Sequence, residues 1–152
     1  MSKDLKVIIS VPVIIVALVF GVSARQRNAS AETAVKEIRT VLDRQVLAWN
    51  KGDIEGFMEG YWRSPELTFF SGNTTVSGWE ETLGRYRTRY QTGGNQMGKL
   101  EFRDLKIELL GPTAAFVRGR FQVSDSSNAG TGLFTLTLRK LPGGWKIVHD
   151  HT

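Results

Sequence analysis

Hydrophobic residues recur along this chain with two different periods, and the change of period separates an early helical part from a late strand part. After residue 30 they return at every third or fourth position, at Val35, Ile38, Leu42, Val46 and Trp49. This spacing predicts one apolar face on a helix of about five turns. We expect Ser30 to cap the start of this helix and Gly52 to end it.

Shorter elements are predicted in the middle of the chain. Asp53 is expected to cap a second helix over residues 54–62, and Pro65 to stop it. Two short strands follow at residues 67–70 and 74–77, with a turn between them.

A third helix is predicted after Gly78, and the loop Gly93-Gly94-Asn95 is expected to end it. Its apolar face would consist of Trp79, Leu83, Tyr86 and Tyr90.

From Lys99 onward the hydrophobic period is two, which is typical of strands. Leu100 and Phe102 alternate in one phase, whereas Leu105, Ile107 and Leu109 alternate in the other. This slip predicts a bulge at Arg103-Asp104. Two more strands have apolar faces made of Ala115, Val117, Gly119, Phe121 and Val123, and of Phe134, Leu136 and Leu138.

The last predicted strand spans residues 145–151, after a turn at Pro142-Gly143-Gly144. Strict alternation would place His149 and His151 on the same face as Trp145 and Ile147, and Asp150 on the opposite face. Helices early and strands late indicate an α+β fold in which three helices cover one face of a bent antiparallel sheet.

The segment before these elements predicts export. Residues 7–22 are uncharged, Lys3 and Lys6 precede them, and small residues end at Ala24, as in a secretory signal cleaved after Ala24. The alternative is a retained anchor, since residues 7–24 would form a helix of about 27 Å against a hydrocarbon core of about 30 Å. Residues 1–24 are therefore a signal peptide or anchor, 25–30 a linker, and 31–152 one domain outside the cytoplasm.

Composition excludes several kinds of site. The chain has no cysteine, which excludes disulfides, thiol nucleophiles and thiolate metal sites. No phosphate-binding or dinucleotide motif is present, so we predict no cofactor. The net charge is +5 and becomes +4 without Lys3, Asp4 and Lys6. Because the basic residues are dispersed, we expect no nucleic-acid partner, and membrane contact only if residues 7–24 are retained.

Several fragments in this order resemble the nuclear transport factor 2-like superfamily, and in particular its SnoaL-like bacterial branch. The fragments are Leu47-Ala48-Trp49-Asn50-Lys51-Gly52-Asp53, Gly60-Tyr61-Trp62, Ser77-Gly78-Trp79, Met97-Gly98-Lys99-Leu100, residues 134–140 and residues 144–151. The resemblance covers about residues 31–152. It implies a cone, with the sheet wrapped around the helices and an apolar pocket at the open end, and a homodimer formed through the outer sheet face.

Within that fold we assign candidate site residues. His151 is the candidate general acid or base, and the predicted pocket consists of Trp49, Trp62, Phe70, Trp79, Tyr86, Tyr90, Phe121 and His149. A zinc site at the two histidines lacks an identifiable third ligand, so no metal is predicted. Arg118 and Arg120 are interpreted as a solvated outer face in preference to a carboxylate site.

Three functions remain open, because members of the superfamily include isomerases, dehydratases, cyclases and assembly domains. The first is an exported protein whose apolar pocket binds a small hydrophobic molecule. The second is a small-molecule enzyme of isomerase, dehydratase or hydrolase type that uses a pocket histidine or tyrosine; Tyr61, Tyr86 and Tyr90 offer phenols. The catalytic aspartate of the isomerases has no identifiable counterpart. The third is a dimeric assembly module with a vestigial pocket.

Overall fold

A computed structural model of the protein describes residues 13–92 and 97–152, with the side chains of the first helix described from residue 25. The predicted loop at 93–95 and the start of the predicted signal segment lie outside the described residues. The elements are α1 (Val13–Trp49), α2 (Ile54–Met58), β1 (Thr68–Ser71), β2 (Thr74–Ser77), α3 (Trp79–Tyr90), β3 (Lys99–Leu109), β4 (Ala114–Ser124), β5 (Gly130–Leu141) and β6 (Gly144–His151).

The six strands form one open sheet in the order β2-β1-β6-β5-β4-β3. Neighbouring strands are antiparallel except for β1 and β6, which run parallel, with Thr68 opposite His149 and Phe70 opposite His151. The α+β class is therefore confirmed, but the sheet is mixed, because the early β1-β2 hairpin joins its edge beside the last strand.

Helix α1 provides the centre of the core. Ile38, Leu42 and Trp49 are almost completely buried, and they pack with the inner residues of β4, β5 and β6. The predicted cap at Ser30 is wrong, since the helix continues through residues 25–30, whose side chains are exposed. Ser30 is flanked by Ala29 and Ala31, which have a high helix propensity, so the helix continues through this position.

Among residues 13–92 and 97–152, no helix combines the length and the apolar character needed to cross a bilayer.

Helix α2 ends at Met58, four residues earlier than predicted. The chain leaves the helix because residues 60–62 bind the last strand instead. Ile147 donates its N–H to the Gly60 carbonyl at 2.9 Å, and Trp62 donates its N–H to the Ile147 carbonyl at 2.8 Å. These bonds hold Tyr61 against β6, where its hydroxyl becomes part of the site described below.

The predicted bulge in β3 is confirmed. The pairing of β3 with β4 shifts between Arg103 and Lys106, and Asp104 has a positive φ of 54°. Because the bulge changes the phase of the strand, Leu105 and Ile107 join Phe102 in packing against the core.

Candidate functional site

A cavity of about 440 Å³ lies between the helices and the inner face of the sheet. Its walls come from α1, α2, α3 and every strand except β2, and from the loop before β5. The lining side chains include Gln45, Trp49, Phe57, Tyr61, Phe69, Arg85, Tyr86, Arg89, Tyr90, Leu100, Phe102, Phe121, Val123, Leu136 and Asp150. The cavity is therefore an apolar, aromatic site with a few polar groups, which is the usual make-up of a small-molecule site.

Tyr86 lies at the centre of the aromatic wall. Its ring centroid is 5.2 Å from that of Phe57 and 5.7 Å from that of Phe69, and it stacks on Tyr90 at 6.1 Å. Trp49 meets Tyr90 edge-on at 4.6 Å, and its indole N–H donates to the Met97 carbonyl at 3.1 Å. These contacts fix the ring orientations, so the wall is largely preformed.

A second bulge, at Val148 in β6, decides which residues of the last strand face the cavity. Leu138 pairs with Ile147, but the next residue along β5, Thr137, pairs with His149, so Val148 is an extra residue. Trp145 and Ile147 are buried before the bulge, and Asp150 is buried after it. The predicted alternation is therefore wrong beyond Val148, because one inserted residue inverts the two faces.

Asp150 forms the polar centre of the cavity. It is 4% exposed, and the Tyr61 hydroxyl donates to its Oδ2 atom at 2.6 Å. The Thr152 hydroxyl donates to Oδ1 at 2.5 Å. The Tyr86 hydroxyl lies 3.5 Å from the Tyr61 hydroxyl, so two phenols and the carboxyl form a chain of polar groups along one wall.

Burial changes the acidity of these groups. It raises the pKa of Asp150 to about 6, although the hydrogen bonds from Thr152 and Tyr61 oppose the change. Burial and the Asp150 charge also raise the pKa of Tyr61 and of Tyr86, so both phenols stay protonated. The cavity thus holds two fixed hydroxyl donors and a carboxyl that exchanges its proton close to neutral pH.

Gln45 adds one more polar group to the wall. It is 1% exposed and donates from Nε2 to the Phe57 carbonyl at 3.1 Å. Its Oε1 atom has no hydrogen-bond partner among the described residues, and the side chain lines the cavity. The amide oxygen is therefore available to a donor on a bound molecule.

Four of the nine predicted site residues line the cavity: Trp49, Tyr86, Tyr90 and Phe121. Trp79 lies outside the lining, where its indole N–H donates to the Met58 carbonyl at 3.0 Å. Trp62 is half-buried and also outside the lining. Both tryptophans therefore depart from their predicted place in the pocket wall.

Phe70, His149 and His151 share the face of the sheet opposite the cavity, which we call the outer face. The Phe70 ring is 4.9 Å from that of His149 and 6.1 Å from that of His151, and Thr68 shares a hydrogen bond of 2.7 Å with His149 Nδ1. Burial, followed by the charge of His151, lowers the pKa of His149. The predicted pocket positions of these three residues are wrong, and His151 does not face the cavity as a general acid or base would.

The interpretation of Arg118 and Arg120 as solvated is confirmed. Their side chains are about half-exposed and lie 4.0 Å from Glu108 and Asp104, respectively. Within residues 13–92 and 97–152, no group of three or more His, Cys, Asp or Glu side chains could hold a metal ion.

Comparison with known proteins identifies the family to which this fold and cavity belong. The open mixed sheet, the long first helix and the cavity between them define an α+β domain of the nuclear transport factor 2-like class. A family model for the SnoaL-like domain matches residues 38–152, and the chain belongs to this family. The family has ligand-binding pockets, and some of its members are enzymes.

Solved structures agree with this assignment. An NTF-2-like protein of unknown function from Shewanella oneidensis is 35% identical, with a TM-score of 0.71 over 77% of this chain and 96% of that one. An NTF2-like superfamily protein from Salmonella enterica is 24% identical, with a TM-score of 0.65 over 80% and 90% of the two chains. One from Pseudomonas putida, also of unknown function, is 20% identical, with a TM-score of 0.65 over 79% and 85%. The last two show the fold alone. No curated protein matches the chain.

Proposed function

We propose that this protein binds one small, mainly apolar molecule in the cavity, with a polar group of that molecule hydrogen-bonded at Asp150 and Tyr61. The observation that carries the proposal is a buried carboxyl in the wall of an otherwise aromatic cavity of about 440 Å³. Burying a carboxyl is unfavourable, so its presence there favours a role in binding over a role in folding.

Native mass spectrometry of the protein purified from its own host tests this proposal. We expect a discrete added mass that is lost on denaturation. The variant Leu136→Trp should lose it, because Leu136 is buried, lines the cavity and lies opposite Asp150 in the sheet. The matched control Leu47→Trp places the same side chain at a 61% exposed position of α1 and should keep the added mass. Wild-type protein without added mass, or a mass retained in folded Leu136→Trp, would contradict the proposal.

The same measurement addresses export and assembly. We propose that residues 1–24 are removed, or retained as an anchor, so that the domain lies outside the cytoplasm. We also propose a homodimer through the outer face, which is supported by the half-buried aromatic side chains of Phe70 and Phe116 on that face. The mass of the intact species reports both cleavage and subunit number.

Proton-transfer catalysis is the second candidate function. It is favoured by one observation: Asp150, with a pKa raised to about 6 by burial, accepts a hydrogen bond from Tyr61 inside the cavity. Under this alternative, the molecule identified by mass spectrometry would be converted by the wild-type protein and not by Asp150→Asn. Binding without conversion would leave the protein a binder.

A further inference from the structure

Two arginines one helical turn apart on α3 bring positive charge to the cavity. Arg85 and Arg89 both line it, and the Arg85 guanidinium lies over the Phe69 ring at 5.6 Å from its centroid. Arg85 is half-buried. A guanidinium that stacks on an aromatic face keeps its N–H donors in the plane of the group, where they are free to bind an acceptor.

Arg85 differs from its neighbours on the helix surface because it has no acidic partner. Arg87 pairs with Glu55, and Arg63 pairs with Glu80 at the start of α3. Among the described residues, Arg85 makes no hydrogen bond or ion pair; its guanidinium lies over the Phe69 ring. Its charge is therefore available to an anion that enters the cavity.

The carboxyl group of Asp150, which also lines the cavity, does not neutralise the charge of Arg85. Among the described residues of the lining, Asp150 is the acidic one; it accepts hydrogen bonds from Tyr61 and Thr152 and forms no ion pair with Arg85. The lining thus carries the positive charge of Arg85 without an acidic partner among the described residues. An apolar molecule with an anionic group would complement it better than a neutral one.

We propose that the molecule bound in this cavity is an apolar carboxylic acid, whose carboxylate pairs with Arg85 while its apolar part packs against Trp49, Tyr86 and Tyr90. The inference rests on the proposed function and adds the class of the ligand. A planar carboxylate matches the paired N–H donors of one guanidinium. A single negative charge fits better than the double charge of a phosphate, because ionised Asp150 lies in the same cavity.

Paired probes of equal size test the ligand class. We would titrate the full chain by calorimetry at pH 7.5 with 2-naphthoate and 2-naphthamide, and with decanoate and decanamide. Hydrogen bonds to charged groups are strong enough that each carboxylate should bind at least about tenfold more tightly than its amide. The variant Arg85→Gln should bring that ratio to about one and leave amide binding within about twofold. The control Arg87→Gln, on the same helix but outside the lining, should keep the wild-type ratio.

The outcomes separate this inference from the proposed function. Amides that bind as tightly as carboxylates, or a carboxylate preference that survives in Arg85→Gln, would overturn the ligand class and leave small-molecule binding standing. If none of the four probes binds, the inferred ligand class is wrong, whereas the proposed function is decided by the added mass in native mass spectrometry. A carboxylate preference that is lost in Arg85→Gln and kept in Arg87→Gln supports both proposals.

Discussion

Replacing Asp150 with asparagine is expected to raise the free energy of unfolding at pH 8 by about 2 kcal/mol, although the substitution weakens two hydrogen bonds. Burial raises the pKa of Asp150 from its ordinary value of 3.8 to about 6. The folded protein therefore holds a proton between these pH values that the unfolded chain has released. The resulting stability is fully present below pH 4 and is lost as the pH rises through 6.

The size of this effect follows from the two pKa values. Since one pKa unit corresponds to about 1.36 kcal/mol, ionising Asp150 in the folded protein costs about 3 kcal/mol above pH 6. Asparagine avoids this cost but binds Tyr61 and Thr152 less well, at a loss of about 1 kcal/mol. At pH 4, where Asp150 is neutral, we expect the asparagine variant to be slightly less stable than the wild type.

Urea unfolding from pH 4 to pH 8 measures this difference directly. The two stability curves should cross between pH 4 and pH 7. Asp43→Asn is the matched control, because it makes the same substitution at an exposed position of α1, where we expect a change of stability within about 0.5 kcal/mol. Parallel curves for Asp150→Asn and the wild type would mean that Asp150 is not held in a buried, proton-binding environment.

Replacing Trp49 with alanine is expected to destabilise the protein by about 3–5 kcal/mol, which is a large part of the total stability of an ordinary domain. Trp49 is 2% exposed, and its ring contacts those of Phe57 and Tyr90. Its indole N–H also ties the end of α1 to the Met97 carbonyl, just before β3. The substitution removes the ring contacts and this bond together.

Trp49→Phe separates the two contributions. It keeps an aromatic ring but has no donor for Met97, so we expect a smaller loss of about 1–2 kcal/mol. Chemical unfolding of both variants provides the comparison. A loss below 1 kcal/mol in Trp49→Ala would show that the aromatic wall is not packed as described.

The sequence predicted the fold correctly wherever apolar residues show which face of a helix or strand points to the core. In β3, Phe102 lies before the bulge and Leu105 and Ile107 after it, so the change of phase is visible in the sequence. In β6, Trp145 and Ile147 precede the bulge at Val148, but only His149, Asp150 and His151 follow it. Without an apolar residue beyond the bulge, the inversion of the two faces cannot be read from the pattern.

This difference explains why the candidate site was only partly predicted. Trp49, Tyr86 and Tyr90 were found because they lie on helix faces that are also core. Asp150 was placed on the wrong face, and with it His149 and His151. Phe70 follows Phe69 directly in a strand of four residues, too short for its phase to show which ring faces inward. The bond between Tyr61 and Asp150 joins residues 89 positions apart, and no local spacing predicts such a contact.

The central claim is that the cavity is the ligand site, and the four tryptophans of the chain allow one direct test. Trp49 lines the cavity, whereas Trp62, Trp79 and Trp145 do not. In a ¹H–¹⁵N spectrum of the indole groups, assigned with Trp49→Phe, titration with 2-naphthamide should move the Trp49 signal and leave the other three in place. A Trp49 signal that stays fixed, or movement confined to the other three, would contradict the account.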